Sequence, residues 1–252
     1  MAPLDQPFQD EEDNSADAEM TFMEHLEELR KRIIYILYGT VAGAVVVITF
    51  DSYIVENFLL YPAARAGIVL QNLEPFGQVF LYFQVWFIGG LIVSIPNVFY
   101  QLWQFISPAL RSNEKKYVTL VVTASTLCFL SGVFFAYSLM LPLTLDFAVN
   151  FGSDSIRNDF AIDSYMSIFF SVLLGAGLIF ELPVLSFILS RIGILTPEFM
   201  KKFRRHSLVA IMIIAAFLSP GTDPVGQIML AVPLFILYEI SIIVSKMSVK
   251  RS

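Results

Sequence analysis

The chain has 252 residues, of which 56% are hydrophobic and only 15% are charged, and its mean hydropathy is +0.70. A soluble domain carries about 25% charged residues, so this composition excludes a water-soluble globular domain and indicates a polytopic membrane protein. The same composition argues against a nucleic-acid binder, a secreted disulfide scaffold and a disordered regulator, and the single cysteine, Cys128, can form no disulfide within the chain.

The acidic charge is concentrated in the first 20 residues, which contain seven acids and no base. Removing those seven charges from the net charge of −6 leaves +1 for the rest of the chain. The segment is polar and aperiodic, so we predict a disordered cytoplasmic tail over 1–20 and a single membrane domain over 21–250. A secretory signal peptide begins with a basic segment, so the first apolar run is expected to remain as a membrane span.

Apolar runs with few charges predict six transmembrane helices. The predicted spans are residues 32–50, 78–104, 117–142, 164–190, 206–219 and 226–246. The fifth span is short, because 14 residues reach about 21 Å across a hydrocarbon layer of about 30 Å. We therefore expect the bilayer to thin beside it, or neighbouring helices to gather there.

The basic residues predict the orientation. Fourteen of the sixteen Lys and Arg residues fall on the side of the N-terminus, and only Arg65 and Arg157 fall on the other side. Cytoplasmic loops of membrane proteins are enriched in these residues. Both termini are therefore predicted to be cytoplasmic.

Small residues and prolines predict how the spans pack. Gly39 and Gly43 have the GxxxG spacing of closely packed helices, which we assign to packing within the chain. Prolines inside or at the ends of spans remove backbone hydrogen bonds, so curved or kinked helices are expected. These prolines are Pro96, Pro142, Pro183 and Pro233.

Two carboxylates lie within predicted spans. An acid near the bilayer centre costs about 2.5–3.5 kcal/mol, so Glu181 is expected to face a cavity or a partner, although pairing with a neighbouring hydroxyl for packing alone is the competing interpretation. Glu239 lies nearer the cytoplasmic end, where a lateral salt bridge is the simpler role. The alternative function is a secondary transporter with Glu181 and Glu239 at its ion site, although the two halves of the chain show no convincing repeat.

Motifs of enzymes are missing from the sequence. It contains no phosphate-binding loop, no nucleophile elbow and no cluster of metal ligands, since His25, His206 and Cys128 are far apart. We therefore predict a protein that is not an enzyme and that uses no cofactor or metal.

Five segments resemble the TatC family, the core receptor of twin-arginine protein translocation. They are HLEELRKR at 25–32, YQLWQFISPALRSNEKK at 100–116, FELP at 180–183, LTPE at 195–198 and LSPGTDPVGQIMLAVPLFILYEISI at 218–242. The resemblance implies an all-α membrane protein with six transmembrane helices in a cupped bundle and cytoplasmic termini. It also implies a receptor and scaffold for exporting folded proteins, driven by the proton-motive force.

The resemblance also implies residue roles. Glu28 and Glu114 would bind the consecutive arginines of the signal peptide, since guanidinium groups favour carboxylates held in fixed geometry. Phe105, Pro108 and Leu110 would shape the first cytoplasmic loop, and His25, Leu29 and Arg30 would support the helix that carries Glu28. Glu181 would lie on the concave face, Pro62 in an outer cap, and Asp223 in the turn between the last two spans.

The implied partners follow from the same resemblance. The short fifth span and the sixth would dock single-span proteins of the TatA and TatB type. Twin-arginine signal peptides of folded cargo, other copies of the chain and the lipid bilayer complete the expected partners, and no nucleic acid is among them.

Overall fold

The computed structural model describes residues 22–106, 118–150, 159–218 and 224–248, and this part of the chain is almost entirely helical. The helices are α1 Phe22–Thr49, α2 Asp51–Ile54, α3 Tyr61–Arg65, α4 Gly77–Val93, α5 Ile95–Ile106, α6 Val118–Phe135, α7 Leu141–Asn150, α8 Ile162–Ile179, α9 Leu182–Arg191, α10 Pro197–Lys202, α11 Arg204–Leu218 and α12 Pro224–Ser248. Single π-helical turns lie at Val55–Leu59 and Ala136–Met140. Two short strands, β1 Leu70–Gln71 and β2 Phe160–Ala161, pair in parallel.

Several of these helices have the length and apolar character of membrane spans. Within the described ranges, four helical segments qualify: Met23–Thr49, Val118–Asn150, Ile162–Arg191 and Leu230–Ser248. A fifth span results if α4 and α5, which meet at an angle of 59°, are counted as one bent span. The all-α membrane fold is confirmed, and the count of six stays a prediction because α11 has only 15 residues, about 22 Å.

The long helices pack as a row of neighbours. α1 packs on α4 and α5, α5 on α6, α6 on α8, α9 on α12, and α12 on α11. The outward faces of the row are apolar: the exposed fractions of Leu37, Val45 and Phe134 are 53%, 57% and 70%. Such surfaces are unfavourable in water and suit hydrocarbon, so the row is built to be surrounded by lipid.

Glycine residues permit a close helix contact between α1 and α4. A Cβ atom added to Gly43 would overlap the carbonyl oxygen of Gly90 on α4, and one added to Gly90 would lie 2.6 Å from the backbone nitrogen of Ala44. The two backbones therefore touch directly. The spacing of Gly39 and Gly43 predicted this packing within the chain.

Prolines mark breaks in the row of helices. Pro96 follows the bend between α4 and α5, and Pro183 occupies the first turn of α9, just after the break from α8. Because Pro183 has no N–H, the carbonyl of Ile179 cannot receive the usual hydrogen bond from four residues ahead. Pro233, in contrast, lies inside the continuous helix α12. The prediction of proline-bent helices is confirmed most clearly at the 59° bend.

A cap of short elements covers the end of the row that is opposite the start of α1. The Tyr165 hydroxyl donates to the carbonyl of Leu59 at 2.5 Å, and the Tyr137 hydroxyl donates to the carbonyl of Phe58 at 3.1 Å. Pro62 is buried in the first turn of α3. These bonds fasten the 51–71 segment to α8 and to the π-helical turn after α6.

Adjacent glycines of α4 give a matched stability test. Gly90→Ala places a methyl group against the backbone of α1, whereas Gly89→Ala meets only the side chain of Val47, at 3.2 Å. Overpacking costs about 1–3 kcal/mol, so we expect Gly90→Ala to lower the melting temperature in detergent clearly more than Gly89→Ala. Equal melting temperatures for the two variants would contradict the direct backbone contact.

Candidate functional site

The beginning of α1 and the end of α5 form a junction that contains several of the predicted site residues. The His25 ring stacks on the Phe105 ring, with centroids 4.4 Å apart and planes inclined by 23°. Leu29 is half-buried on α1, and Arg30 is exposed. We call the group His25, Glu28, Arg32, Gln101 and Phe105 the α1–α5 junction.

Glu28 is held in place within this junction. Arg32, one helical turn further on, places its Nε atom 2.6 Å and its Nη2 atom 2.5 Å from Glu28 Oε1. The Glu28 side chain is 18% exposed and that of Arg32 is 20% exposed, so the ion pair is mostly screened from solvent. A partly buried, charge-assisted contact of this kind fixes the carboxylate far better than an exposed pair would.

A second contact ties the ion pair to α5. Arg32 Nη1 donates to Gln101 Oε1 at 2.9 Å, across 69 positions of the sequence. The spacing of Glu28 and Arg32 is readable from the sequence as a helical pair. The participation of Gln101 is not, because only the packing of α5 against α1 brings it there.

Four predicted site residues lie outside the described residues. They are Pro108, Leu110, Glu114 and Asp223. α5 ends at Ile106, so the segment that carries the first three begins directly beside the junction. The structure thus brings together His25, Glu28 and Phe105.

Glu181 lies in the interior, at the break between α8 and α9. It is 6% exposed and lies beside Ser125 and the backbone of Phe129, both on α6. Among the described residues, neither Glu181 Oε1 nor Ser125 Oγ has a hydrogen-bond partner. Glu181 therefore faces a neighbouring helix of its own chain, with unused hydrogen-bonding capacity inside the row.

Glu239 has a different environment. Its Oε2 atom lies 2.5 Å from Arg204 Nη2 at the start of α11, and both side chains are partly exposed, at 32% and 48% respectively. The pair links α12 to α11 laterally. Glu181 and Glu239 thus contact different helices.

An apolar groove runs along α11 where it meets α12. Its volume is about 370 Å³, and it is lined by Leu208, Val209, Met212, Ile213, Ala216 and Gln227. Gln227 Nε2 donates to the carbonyl of Met212 at 2.9 Å, which holds the two helices together at this level. Sequence reasoning identified the short helix and missed the groove, which is a property of how the two helices pack.

The described residues give no indication of a metal centre. No group of three or more His, Cys, Asp or Glu residues in the described ranges is arranged to hold a metal ion.

Comparison with known proteins places these features in a family. The family model described as "Sec-independent protein translocase protein (TatC)" matches residues 24–233. The chain is 33% identical to the Sec-independent protein translocase protein TatC of Carboxydothermus hydrogenoformans over 230 residues, covering 91% of this chain and 94% of that protein. It is 32% identical to the TatC protein of Aquifex aeolicus over 236 residues, covering 92% and 97%.

Solved structures lead to the same family. A crystal structure described as the twin arginine translocase receptor TatC superposes with a TM-score of 0.78 at 32% sequence identity, covering 90% of this chain and 100% of that one. A second crystal structure of the receptor, in DDM, gives the same TM-score at 33% identity. The chain therefore belongs to the TatC family of Sec-independent protein translocase proteins.

Proposed function

We propose that this chain is the receptor of a twin-arginine translocation system and that the α1–α5 junction binds the Arg-Arg pair of the signal peptide. One observation carries the proposal: Glu28 is a fixed, partly exposed carboxylate that lies three residues after His25, whose ring stacks on Phe105 near the end of α5. The related crystal structure is described as a twin arginine translocase receptor, which supports the same function.

The chemistry of arginine explains why such a site suits it. The guanidinium group is planar and donates along fixed directions, so it binds best to carboxylates that are already oriented. Glu28 supplies one such carboxylate, and Glu114 is proposed to supply the second. The stacked rings of Phe105 and His25 add an aromatic surface on which a guanidinium group can stack.

We also propose that the junction faces the cytoplasm of a bacterium and that the chain lies in the inner membrane with both termini inside. Basic residues of the described part lie in the first half of α1, at the end of α9, in α10, at the start of α11 and near the end of α12, whereas Arg65 ends α3 in the cap. Those outside the cap are Arg30, Lys31, Arg32, Arg191, Lys201, Lys202, Arg204, Arg205 and Lys246. Cytoplasmic loops favour such residues, and a signal peptide meets its receptor on that side.

The partners are proposed to dock at the far end of the row. α11 is about 22 Å long, shorter than the hydrocarbon layer, and the groove between α11 and α12 is apolar. Single-span proteins of the TatA and TatB type, together with further copies of this chain, would assemble there. The complex would then move folded cargo with energy from the proton-motive force.

Substitution of the two proposed carboxylates tests signal binding. We expect Glu28→Ala and Glu114→Ala each to weaken photo-crosslinking of a twin-arginine precursor while leaving the protein inserted, because each removes a charged acceptor for a guanidinium group. Glu27→Ala is the matched control, since Glu27 is exposed and adjacent to Glu28. Crosslinking that is unaltered in both variants would remove the proposal.

Lengthening α11 tests partner docking. Inserting four apolar residues adds about 6 Å and would bring the helix close to the full hydrocarbon thickness. We expect crosslinks between α11 and a single-span partner to decrease, because the thinned bilayer beside α11 would be lost. Unchanged crosslinks to α11 would contradict the role of its length.

Matched substitutions distinguish this function from a secondary transporter that uses Glu181 and Glu239. We expect Glu239→Ala to leave export nearly unchanged, because an exposed ion pair contributes about 0–1 kcal/mol. Glu181→Ala, in contrast, removes a carboxylate buried beside Ser125 and is expected to insert but to impair export. Complete loss of activity in both variants would favour the transporter.

A further inference from the structure

Gln101 is a buried polar residue with no part in the binding steps proposed above. It is 8% exposed, and its Oε1 atom accepts the hydrogen bond from Arg32 Nη1. Its Nε2 atom lies 3.4 Å from Asn97 Oδ1, and Asn97 Nδ2 donates to the carbonyl of Tyr35 at 3.2 Å. A chain of hydrogen bonds thus leaves Glu28, crosses α5 and returns to the backbone of α1.

The close approach of α1 and α5 makes this series of hydrogen bonds possible. Asn97 lies against Gly39, where any added Cβ atom would overlap its amide group. The glycine therefore gives the Asn97 side chain access to the carbonyl of Tyr35. Buried polar side chains that satisfy one another hold a single arrangement, because breaking one bond leaves a polar group without water.

The way Arg32 holds Glu28 leaves half of the carboxylate unused. The Nε and Nη2 atoms form the edge of the guanidinium group that can bind both oxygens of a carboxylate. Here both atoms converge on Oε1, at 2.6 and 2.5 Å. Arg32 donates no hydrogen bond to Oε2, so that oxygen can accept one from a second guanidinium group.

Gln101 explains why Arg32 stays in this position. The remaining nitrogen, Nη1, is held by Gln101 from the neighbouring helix. Without that bond, Arg32 would be free to turn and bind Glu28 through both oxygens, the geometry that a paired arginine and carboxylate prefer. An internal arginine in that geometry would block the carboxylate to an incoming one.

We propose that Gln101 is a positioning residue for signal-peptide recognition: it holds Arg32 on one oxygen of Glu28 and so keeps the other oxygen open to an arginine of the signal. This inference rests on the proposed receptor function.

The test compares Gln101→Leu with Gln104→Leu in the full-length protein. Gln104 is a glutamine of the same helix whose Nε2 atom donates to the hydroxyl of Tyr100, which also lies on α5. Binding of two labelled signal peptides is measured, one with Arg-Arg and one with Lys-Lys. We expect Gln101→Leu to weaken Arg-Arg binding about tenfold and Lys-Lys binding little, since only a guanidinium group depends on the fixed carboxylate geometry.

Two further variants complete the experiment. Gln101→Glu keeps an acceptor for Arg32 and is expected to retain most of the Arg-Arg preference, whereas Gln104→Leu should match the unmodified protein. If Gln101→Leu fails to fold, Gln101→Asn tests the same claim, because its side chain is one methylene shorter and withdraws the acceptor from Arg32 Nη1 while remaining polar. It should lose the Arg-Arg preference as well.

The possible outcomes are distinct. Equal loss of both peptides in Gln101→Leu would show a packing role and overturn the inference, as would unchanged binding of both. Glu28→Ala in the same assay distinguishes the positioning role of Gln101 from the receptor function. If Glu28→Ala weakens Arg-Arg binding and Gln101→Leu does not, only the positioning role falls; if Glu28→Ala also has no effect, the receptor function falls.

Discussion

In a hydrocarbon layer, a polar group that finds no partner within the protein finds none at all, and this constraint organises the contacts between these helices. Thr40 and Ser94 place their hydroxyl oxygens 3.4 Å apart between α1 and the turn after α4, and Ser190 and Ser245 place theirs 2.6 Å apart between α9 and α12. Each pair fixes two apolar helices that dispersion forces alone would leave free to slide. The α1–α5 junction extends the same principle to charged groups.

Two carboxylates differ in how far their hydrogen-bonding capacity is used within the protein. At the α1–α5 junction the charges are paired and held, yet one carboxylate oxygen receives nothing from the arginine beside it. At Glu181 a buried oxygen has no partner in the described part of the chain. Keeping polar groups of this kind inside a membrane protein costs stability, which makes both positions candidates for function.

Much of the fold could be predicted from sequence, because membrane helices are long, apolar and strongly constrained in length. Hydropathy indicated the all-α membrane fold, the spacing of Gly39 and Gly43 indicated a close helix contact, and Pro96 indicated a bend. The two-residue strand pair between β1 and β2 could not be predicted, since it depends on the approach of segments 90 residues apart.

Some residues of the candidate site could likewise be predicted from the sequence, and others could not. His25, Glu28 and Phe105 came from a resemblance in short segments, and Arg32 could be inferred from its spacing to Glu28. Gln101 and Ser125 could not, because nothing local to either residue distinguishes it from other polar residues on an apolar helix. The contacts of Gln101 with Arg32 and of Ser125 with Glu181 become visible only when the helices are packed.

If the α1–α5 junction recognises an arginine pair, crosslinking of a precursor at this junction should depend on that pair. A photo-crosslinking probe is placed at Phe105 in membranes containing this protein, and a twin-arginine precursor is added with its Arg-Arg intact or changed to Lys-Lys. We expect adducts with the Arg-Arg precursor that disappear when the pair is changed to Lys-Lys. Equal adducts with both precursors, or none with either in correctly inserted protein, would contradict recognition of the arginine pair at this junction.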